Sequence, residues 1–474
     1  MKKALFFNWL VIPLALGIAT LQAAPPIALN PENPHYFLFR DKPTVLIAST
    51  EHYGSVINPD FDYVTYLNEI ASKKLNYTRT FAGSYVEYQG WFSIPNNTLA
   101  PASGRLLAPW ARSSTPGYLN GGNKFDLSRF DDAYFARLRD FVSQASSRGI
   151  VVELSLFCNY YTVPLWQLSP FYEKNNINGI HGGGGDGALA NSLNNGDLGA
   201  IQDAYVRKVV TELNARDNVV YEICNEDYDV KNPWLAHIAD VITQTEASLP
   251  NKHLITQNIA NGSKVVDQPN PEVSVFNFHY CRPPDAPGLN AKLPKVIGFD
   301  ENGSDGSADI IYRQQGWNFL MAGGGLYDNL DYSFTVASPV GAKNQPTAPG
   351  GGSPELRTQL SVMLQFMNSL DFLHMAPDTT TITGGVPPGA SVRVLSHPGQ
   401  QYALFLQGPN GNNQASLVAN LPAGAYLAEW VNTHTGTVDK SETFTHAGGS
   451  HTLTSPTYLD DIALRITATH GKDR

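Results

Sequence analysis

Short apolar runs alternate with segments of helical period from about residue 40 to residue 376. Between the runs, apolar side chains recur every three or four residues, as in Val64, Leu67 and Ile70 or in Leu138 and Phe141. Such spacing places one apolar stripe along a helix, and strands that alternate with helices predict a parallel sheet. Helices after the fifth and sixth strands are expected to be short. Eight runs have strand character: residues 44–49, 77–81, 150–157, 218–224, 253–258, 273–279, 295–300 and 319–322.

Eight such units predict an α/β fold, a (β/α)8 TIM barrel over residues 25–376, with catalytic groups at the carboxyl ends of its strands. After residue 377 the pattern changes to threonine, glycine and proline with short alternating runs, such as 402–406 and 425–431, and no helical period persists. This pattern predicts a small antiparallel β-sandwich over residues 377–474. It holds no cluster of catalytic residue types, so an accessory role is expected.

The first 23 residues have the pattern of a signal peptide. Lys2 and Lys3 precede an apolar stretch that ends in the small residues Ala23 and Ala24. This order predicts cleavage and a soluble protein that is secreted or periplasmic, with no membrane attachment after cleavage. A membrane-spanning segment is the alternative, but Pro13 lies in the stretch and no stop-transfer pattern follows.

Composition excludes several classes of function. Only 16% of the 474 residues are charged and 42% are hydrophobic, which indicates a folded chain. The formal charge of −10, without a basic run, argues against a nucleic-acid partner. Cys158, Cys224 and Cys281 lack paired C-x-x-C spacing, which argues against a zinc site and predicts buried thiols, with one disulfide as the alternative.

No cofactor or metal is expected from the motifs. Residues 182–187 satisfy G-x-G-x-x-G, but no strand precedes them, so a flexible loop is the better interpretation. Residues 305–309 lack the alternating oxygen ligands of a calcium loop and are typical of a helix start.

Two carboxylates follow well-separated strands. Glu226 comes directly after the fourth run and Asn225, and Glu301 comes directly after the seventh run. Across the mouth of a barrel such a pair fits glycoside hydrolysis, by retention at a separation of ~5–5.5 Å or by inversion at ~6.5–9.5 Å. The alternative for Glu226 is an ordinary loop acid, since the Asn68-Glu69 dipeptide recurs in a predicted helix.

Polar residues at the ends of four predicted strands form a set: Arg79 in strand two, Asn225 and Glu226 after strand four, His279 and Tyr280 after strand six, and Glu301 after strand seven. The set resembles the retaining glycoside hydrolases of the barrel clan that includes the family 5 cellulases, over residues 35–376. The opening residues 33–44 and the trailing sandwich resemble the cellulase-like enzymes with a collagen-binding-type C-terminal domain.

The resemblance implies a role for each position. Glu226 is the acid/base, Glu301 the nucleophile and Asn225 a partner of the substrate 2-hydroxyl. Arg79 holds Glu301 ionised, or alternatively forms a structural salt bridge. Either His279 or Tyr280 contacts the nucleophile.

Further substrate-binding candidates flank the mouth. Glu51 and His52 follow strand one, where a third carboxylate binds hydroxyls or pairs with His52, and Asn159 follows strand three. Family 5 enzymes place a tryptophan after strand eight as a sugar platform, and here Tyr327 is the expected replacement. The loops 82–130 and 158–199 are long enough to be functional and carry aromatic rings that stack on sugars or pack the loops onto the barrel. Trp110 is predicted to contact the substrate. The aromatic residues of the two loops are Tyr85, Tyr88, Trp91, Trp110, Tyr118, Tyr160, Tyr161, Trp166, Phe171 and Tyr172.

The sequence therefore predicts an exported retaining glycosidase that cleaves β-glycosidic bonds in an oligo- or polysaccharide substrate. One alternative is a carbohydrate-binding protein on a non-catalytic barrel, which the presence of both Glu226 and Glu301 disfavours. A transglycosylase with the same site is the other alternative. The sequence specifies neither the sugar nor the oligomeric state.

Overall fold

The structure, a computed structural model, describes residues 24–229, 231–342, 345 and 347–469. The predicted signal peptide, residues 1–23, lies outside the described residues. Within the described ranges, no helix has both the length and the apolarity needed to cross a bilayer.

Strands and helices alternate through residue 368. The strands are β1 (Ala28–Leu29), β2 (Phe37–Phe39), β3 (Lys42–Thr44), β4 (Leu46–Thr50), β5 (Tyr77–Phe81), β6 (Trp110–Pro116), β7 (Asn123–Phe130), β8 (Val151–Cys158), β9 (Val219–Asn225), β10 (Leu254–Asn261), β11 (Val275–His279), β12 (Val296–Glu301) and β13 (Leu326–Leu330). The helices are α1 (Tyr63–Ser72), α2 (Asp132–Ser147), α3 (Val163–Trp166), α4 (Leu198–Leu213), α5 (Pro233–Ala247), α6 (Ala286–Leu289), α7 (Asp309–Met321) and α8 (Pro354–Asn368). Two 3₁₀ turns cover Trp91–Ser93 and Phe372–His374.

Polar side chains fix where several helices begin. Asp131 accepts from the backbone N–H groups of Ala133 and Tyr134 at the start of α2, and Ser353 accepts from that of Leu356 at the start of α8. These caps satisfy donors that the first helical turn leaves free.

An eight-stranded parallel sheet forms the barrel, in the order β4-β13-β12-β11-β10-β9-β8-β5. The edges β4 and β5 are bridged by the Asn76 side chain, which accepts from Ile47 N at 2.9 Å and donates to Val45 O at 2.8 Å. The predicted TIM barrel is confirmed. As expected, the helix after the sixth strand is short, since α6 has only four residues.

The predicted eighth strand, residues 319–322, is wrong. Phe319, Leu320 and Met321 belong to α7, and the eighth strand is β13, after three consecutive glycines. Because α7 is covered by the barrel on one side and by the C-terminal domain on the other, nearly all of its second half is buried. A short apolar run of that kind does not distinguish a buried helix from a strand.

The predicted sandwich is also confirmed. Its strands are β14 (Ala376–Pro377), β15 (Ile382–Gly384), β16 (Ser391–His397), β17 (Gln401–Asn413), β18 (Ser416–Leu421), β19 (Gly424–Asn432), β20 (Val438–His446), β21 (Gly449–Thr454) and β22 (Tyr458–Ala468). A six-stranded antiparallel sheet, β14-β16-β17-β22-β19-β20, packs on a three-stranded sheet, β15-β18-β21, around an apolar core of their own.

Helix α7 joins the barrel to the sandwich. Trp317 stacks on Phe405 of β17, with ring centroids 5.3 Å apart. Arg313, 1% exposed, donates from Nη2 to Asp461 Oδ2 at 2.8 Å and from Nε to Oδ1 at 3.2 Å. The interface thus combines stacked aromatic rings with a buried ion pair.

Asp461→Ala is expected to lower the free energy of unfolding by about 3–5 kcal/mol, because Arg313 would remain buried without its carboxylate. Urea unfolding followed by circular dichroism measures this. The neighbouring Asp460, 3.9 Å from Arg313, provides the matched control. Asp460→Asn removes its charge, keeps an acceptor for Gly411 N and tolerates the φ of 60°, and is expected to lose under about 1 kcal/mol. Equal losses in the two variants would contradict a supporting role for this ion pair.

Candidate active site

A cleft of about 680 Å³ opens where the carboxyl ends of the barrel strands meet. Both Glu226 and Glu301 line it, together with Asn225, His52 and Asn159. The size suits a small-molecule or oligomeric ligand. The cleft is also rich in aromatic rings: Tyr53, Phe81, Tyr85, Phe92, Tyr161, Tyr228, Tyr280 and Tyr332.

Strand register brings the acidic groups together. The pairing of β11 with β12 shifts by one residue between Phe278 and His279, so that His279 lies opposite Glu301. A bulge of this kind redirects side chains at the end of a strand. His279 therefore lies between the strand-seven carboxylate and the strand-four carboxylate.

Glu301 accepts three hydrogen bonds. Tyr280 donates its hydroxyl to Oε1 at 2.6 Å, and Tyr53 donates to Oε2 at 2.8 Å. Arg79 donates from Nη1 to Oε2 at 3.0 Å. These three donors, on different strands and loops, fix the orientation of the Glu301 carboxylate.

Glu226 is held by its backbone as well as its side chain. Its backbone N–H donates to Asn258 Oδ1 at 2.8 Å. The carboxylate accepts a short hydrogen bond from the Tyr161 hydroxyl and one from the Tyr228 hydroxyl at 2.7 Å. His279 Nδ1 lies 3.1 Å from Glu226 Oε1.

The two carboxylates are close. One oxygen of Glu226, one ring nitrogen of His279 and one oxygen of Glu301 all lie within 4.8 Å of one another. Since both acids also line the cleft, one reacting atom there can contact both of them.

Charge in the site is balanced by His279. Burial alone disfavours its charged form, but the charges of Glu301 and Asp300, with its contacts to Asp300 and Glu226, raise the pKa of His279 well above its usual value. Burial likewise opposes ionisation of Glu226, yet the hydrogen bond and charge of His279, with the bonds from Tyr161 and Tyr228, lower the pKa of Glu226 to about 2. Both shifts favour the ionised pair, with the proton on His279, at neutral pH.

Arg79 lies beneath Glu301 and is fully buried. Its Nη2 donates to Glu222 Oε1 at 2.6 Å and to Asn225 Oδ1 at 2.6 Å, and its Nε lies 3.5 Å from Asp300 Oδ2. Burial opposes its charge, but Glu222 and Asp300 outweigh burial and raise the pKa of Arg79 well above its usual value. The guanidinium therefore stays charged and links strands two, four and seven.

Two sets of acidic and imidazole side chains meet at the site. Glu222, His279 and Asp300 offer ligand-type atoms within 4.8 Å of one another, as do Glu226, His279 and Glu301. Arg79 contacts Glu222 and Glu301 and supplies positive charge to both sets.

Backbone strain occurs at three residues of the site. Tyr53, Glu226 and Tyr280 have φ of 58°, 57° and 44°, in the left-handed region that side chains with a Cβ rarely adopt. Each such residue costs of the order of 1–3 kcal/mol, and such residues cluster where function requires the geometry.

Three solved structures share this architecture. A candidate glycoside hydrolase from Bacteroides vulgatus matches with a TM-score of 0.64 at 15% identity, over 94% of this chain and 83% of its own. A glycoside hydrolase matches with a TM-score of 0.63 at 12% identity, over 94% of this chain and 97% of its own. A family 5 glycoside hydrolase from Bacteroides vulgatus matches with a TM-score of 0.62 at 12% identity, over 94% and 93%. The chain has the fold of these glycoside hydrolases. No protein-family model and no curated protein matches the sequence.

On this glycoside hydrolase fold, most of the predicted site residues come together. Asn225, Glu226, Tyr280, Glu301, His52 and Asn159 line the cleft. Arg79 and His279 contact the two carboxylates but are completely buried, so they act on the carboxylates and do not form the cleft wall. Of the two open alternatives for the contact with Glu301, Tyr280 donates to it, while His279 Nδ1 lies 3.6 Å away.

Three predicted substrate contacts lie outside the cleft. Glu51 is buried and accepts from the backbone N–H groups of Gly54 and Ser55, because its loop folds back over it. Trp110, 1% exposed, packs edge-on against Phe171 under the long loops. Tyr327 is buried within β13 and donates to Tyr312 O, because the eighth strand begins later than predicted.

Other residues of the site were missed. Glu87 lines the cleft, accepts from Tyr85 at 3.0 Å and lies 3.1 Å from His52 Nε2. Tyr332 follows β13 and lines the cleft. The three consecutive glycines ahead of that strand could have indicated where the strand begins, and therefore that Tyr332 follows its end. For Glu87 the sequence offered no signal, since it lies inside an irregular loop.

The three cysteines are buried thiols, as the sequence predicts. Cys158, Cys224 and Cys281 are buried and free. Cys158 lines the cleft beside Asn225, whose Nδ2 lies 3.4 Å from its sulfur.

Proposed function

We propose that this protein is an exported retaining glycosidase that hydrolyses β-glycosidic bonds in an oligo- or polysaccharide. The observation that carries this proposal is the approach of Glu226 and Glu301, with oxygens within 4.8 Å of each other. Retaining glycosidases separate their carboxyl groups by about 5–5.5 Å, whereas inverting enzymes need about 6.5–9.5 Å for a water molecule. The lysine-led apolar N-terminus supports export.

Glu301 is the nucleophile in this proposal. Its carboxylate attacks the anomeric carbon and forms a covalent glycosyl-enzyme as the glycosidic bond breaks. Tyr53, Tyr280 and Arg79 hold the Glu301 carboxylate in one orientation before attack. In the glycosyl-enzyme Glu301 is an ester without a negative charge, so these donors bind it less strongly. They therefore favour the second step, which restores the carboxylate.

Glu226 is the acid in the first step and the base in the second. His279 Nδ1, 3.1 Å from Glu226 Oε1, holds the proton before the reaction and passes it to the carboxylate as the leaving oxygen takes one from Glu226. In the second step Glu226 removes a proton from water, which attacks the glycosyl-enzyme and releases the sugar with its configuration retained.

Asn225 is placed to bind the sugar. Its Oδ1 accepts from Arg79, and its Nδ2 donates to Tyr161 Oη at 2.8 Å, leaving the second N–H directed at Cys158 sulfur at 3.4 Å. A thiol is a weak acceptor, so a substrate hydroxyl can replace it without loss of a strong hydrogen bond.

A screen of the purified protein against a panel of oligo- and polysaccharides tests the proposal, with Glu226→Gln/Glu301→Gln as the matched inactive control. Release of reducing sugar by the wild-type protein alone supports a glycosidase. Binding without cleavage supports the carbohydrate-binding alternative. Transfer to added sugar with little hydrolysis supports the transglycosylase, which shares the site.

The low pKa of Glu226 predicts a pH-dependent contribution to stability. A carboxyl that titrates at about 2 in the folded protein and near ~4.3 in the unfolded chain stabilises fully above about pH 5, and this stabilisation is lost as the pH falls toward 2. The unfolding free energy of the wild type relative to Glu226→Gln should therefore fall by up to about 3 kcal/mol from pH 6 to pH 2.

Asp227→Asn is the matched control for urea titrations across this range. Burial raises the pKa of Asp227, so its carboxyl destabilises the fold as the pH rises and the difference from Asn should change in the opposite direction. A pH-independent difference for Glu226→Gln would contradict the ionised Glu226–His279 pair.

A further inference from the structure

Phe92 stands apart from the other aromatic residues of the cleft because its ring is open to solvent. It lines the cleft and is 49% exposed, whereas Tyr53, Tyr85 and Tyr332 are at most 4% exposed. An exposed aromatic side chain at the rim of a cleft offers a flat apolar surface to a ligand.

The position of Phe92 relates it to Glu226. Its ring packs edge-to-face with Tyr161, with centroids 5.4 Å apart and planes at 90°. The Tyr161 hydroxyl donates to Glu226 Oε2. Phe92 is therefore one ring away from the group that protonates the leaving oxygen, on the side of the cleft where the leaving part of the substrate lies.

The backbone holds Phe92 outward against its conformational preference. Phe92 and Ser93 have φ of 52° and 63°, and a bulky side chain in the left-handed region is a strained outlier. Hydrogen bonds nonetheless hold the segment in place, since Gln89 accepts from Asn97 N at 3.1 Å and donates to Ala100 O at 2.6 Å. Retained strain at a cleft indicates a functional requirement for that geometry.

The family platform is also missing from its usual place. The residue expected to replace it, Tyr327, is buried in β13, and Tyr332 lies beside His52, with ring centroids 6.3 Å apart. Neither offers an exposed ring face next to Glu226. Tyr161 and Tyr228 contact Glu226 but are only partly exposed, which makes Phe92 the most exposed of the aromatic residues that line the cleft.

We propose that Phe92 is the platform for the leaving-group sugar, and that it also binds an acceptor sugar when one replaces water in the second step. This inference rests on the proposed function and adds the residue that selects the leaving-group side of the substrate. If Phe92 has this role, the enzyme requires a carbohydrate on both sides of the scissile bond for full activity.

Two substrates with the same donor sugar test the inference: a β-linked oligosaccharide, which carries a leaving-group sugar, and the corresponding β-glycosyl fluoride, which does not. Phe92→Gly should lower kcat/KM on the oligosaccharide about ten-fold or more, because stacking and apolar burial are lost. On the fluoride it should stay within about two-fold of wild type. Added acceptor sugar should accelerate fluoride turnover by the wild type and leave Phe92→Gly unchanged.

Glycine also separates function from folding. It adopts φ of 52° without strain, so Phe92→Gly should not lower the thermal midpoint. Phe92→Trp should retain oligosaccharide activity. Leu119→Ala, a truncation of an exposed apolar residue that does not line the cleft, should behave as wild type on both substrates.

The role of Phe92 and the proposed glycosidase activity are contradicted by different results. Equal losses on both substrates, or an unchanged kcat/KM on the oligosaccharide, would overturn the role of Phe92 while leaving the glycosidase in place. A wild-type protein that cleaves neither substrate would overturn the proposed function, and the inference with it.

Discussion

Glu301→Ala is expected to lose 10⁴-fold or more of its hydrolytic rate, on the order of the loss seen when a catalytic nucleophile is removed. Without this carboxylate no glycosyl-enzyme forms, so even a substrate with an activated aryl leaving group should remain almost uncleaved. Initial rates on an aryl glycoside measure this. Glu173→Ala, which removes a largely exposed glutamate, is the control and should retain full activity.

Glu226→Ala should fail at a different step. An activated leaving group needs little protonation, so the glycosyl-enzyme still forms, but no base then activates water. Azide needs no base, and it should rescue Glu226→Ala with a product of retained configuration. On Glu301→Ala azide can give only the inverted product. Exchanged outcomes would exchange the two roles.

Arg79→Met is expected to lose about 3–5 kcal/mol of unfolding free energy, or to prevent folding, because Glu222, Asp300 and Glu301 would lose their shared cation in a dry interior. Arg79→Lys should also lose stability, since an ammonium cannot reproduce the forked contacts to Glu222 and Asn225. Urea unfolding followed by fluorescence and circular dichroism measures both variants.

Two further variants sharpen this experiment. Glu222→Gln combined with Arg79→Met should recover part of the stability, because it removes a carboxylate that the first change leaves unpaired. Arg105→Ala, at a largely exposed pair with Asp60, should leave the free energy of unfolding nearly unchanged. A loss for Arg79→Met no larger than that for Arg105→Ala would contradict the central position of this guanidinium.

The barrel and its carboxylate pair could be predicted because local sequence fixes both. Each of the fourth and seventh apolar runs ends one or two residues before a glutamate, and chain direction in a parallel sheet places both strand ends at one mouth. Glu226 and Glu301 accordingly line one cleft. The remaining polar positions, His52, Asn159 and Tyr280, follow from the same rule.

The eighth strand could not be placed because burial outweighed periodicity. The sandwich covers the outer face of α7, so Trp317 and Phe319 are both completely buried although they lie on different sides of the helix. A helix buried all round has no apolar stripe to recognise. The error carried over to Tyr327, which was expected at the mouth and lies inside the barrel wall.

The contacts beneath and around the carboxylates depend on distant segments. Glu222 and Asp300 interrupt apolar strands, and only the closed barrel brings both to Arg79. Phe92 and Glu87 lie in a loop without periodicity, so only the folded loop shows that both reach the cleft. The pattern of apolar and polar residues predicts which side chains share one face of a helix or strand. It does not predict which loops meet above a barrel.

The anomeric configuration of the first-formed product tests the central claim most directly. A glycan identified by the panel is hydrolysed in deuterated buffer by the wild-type protein and followed by proton NMR before mutarotation. The close approach of Glu226 and Glu301 predicts that the β-anomer appears first from a β-linked substrate. First appearance of the α-anomer would contradict the account, because it would make Glu301 a base that activates water instead of a nucleophile.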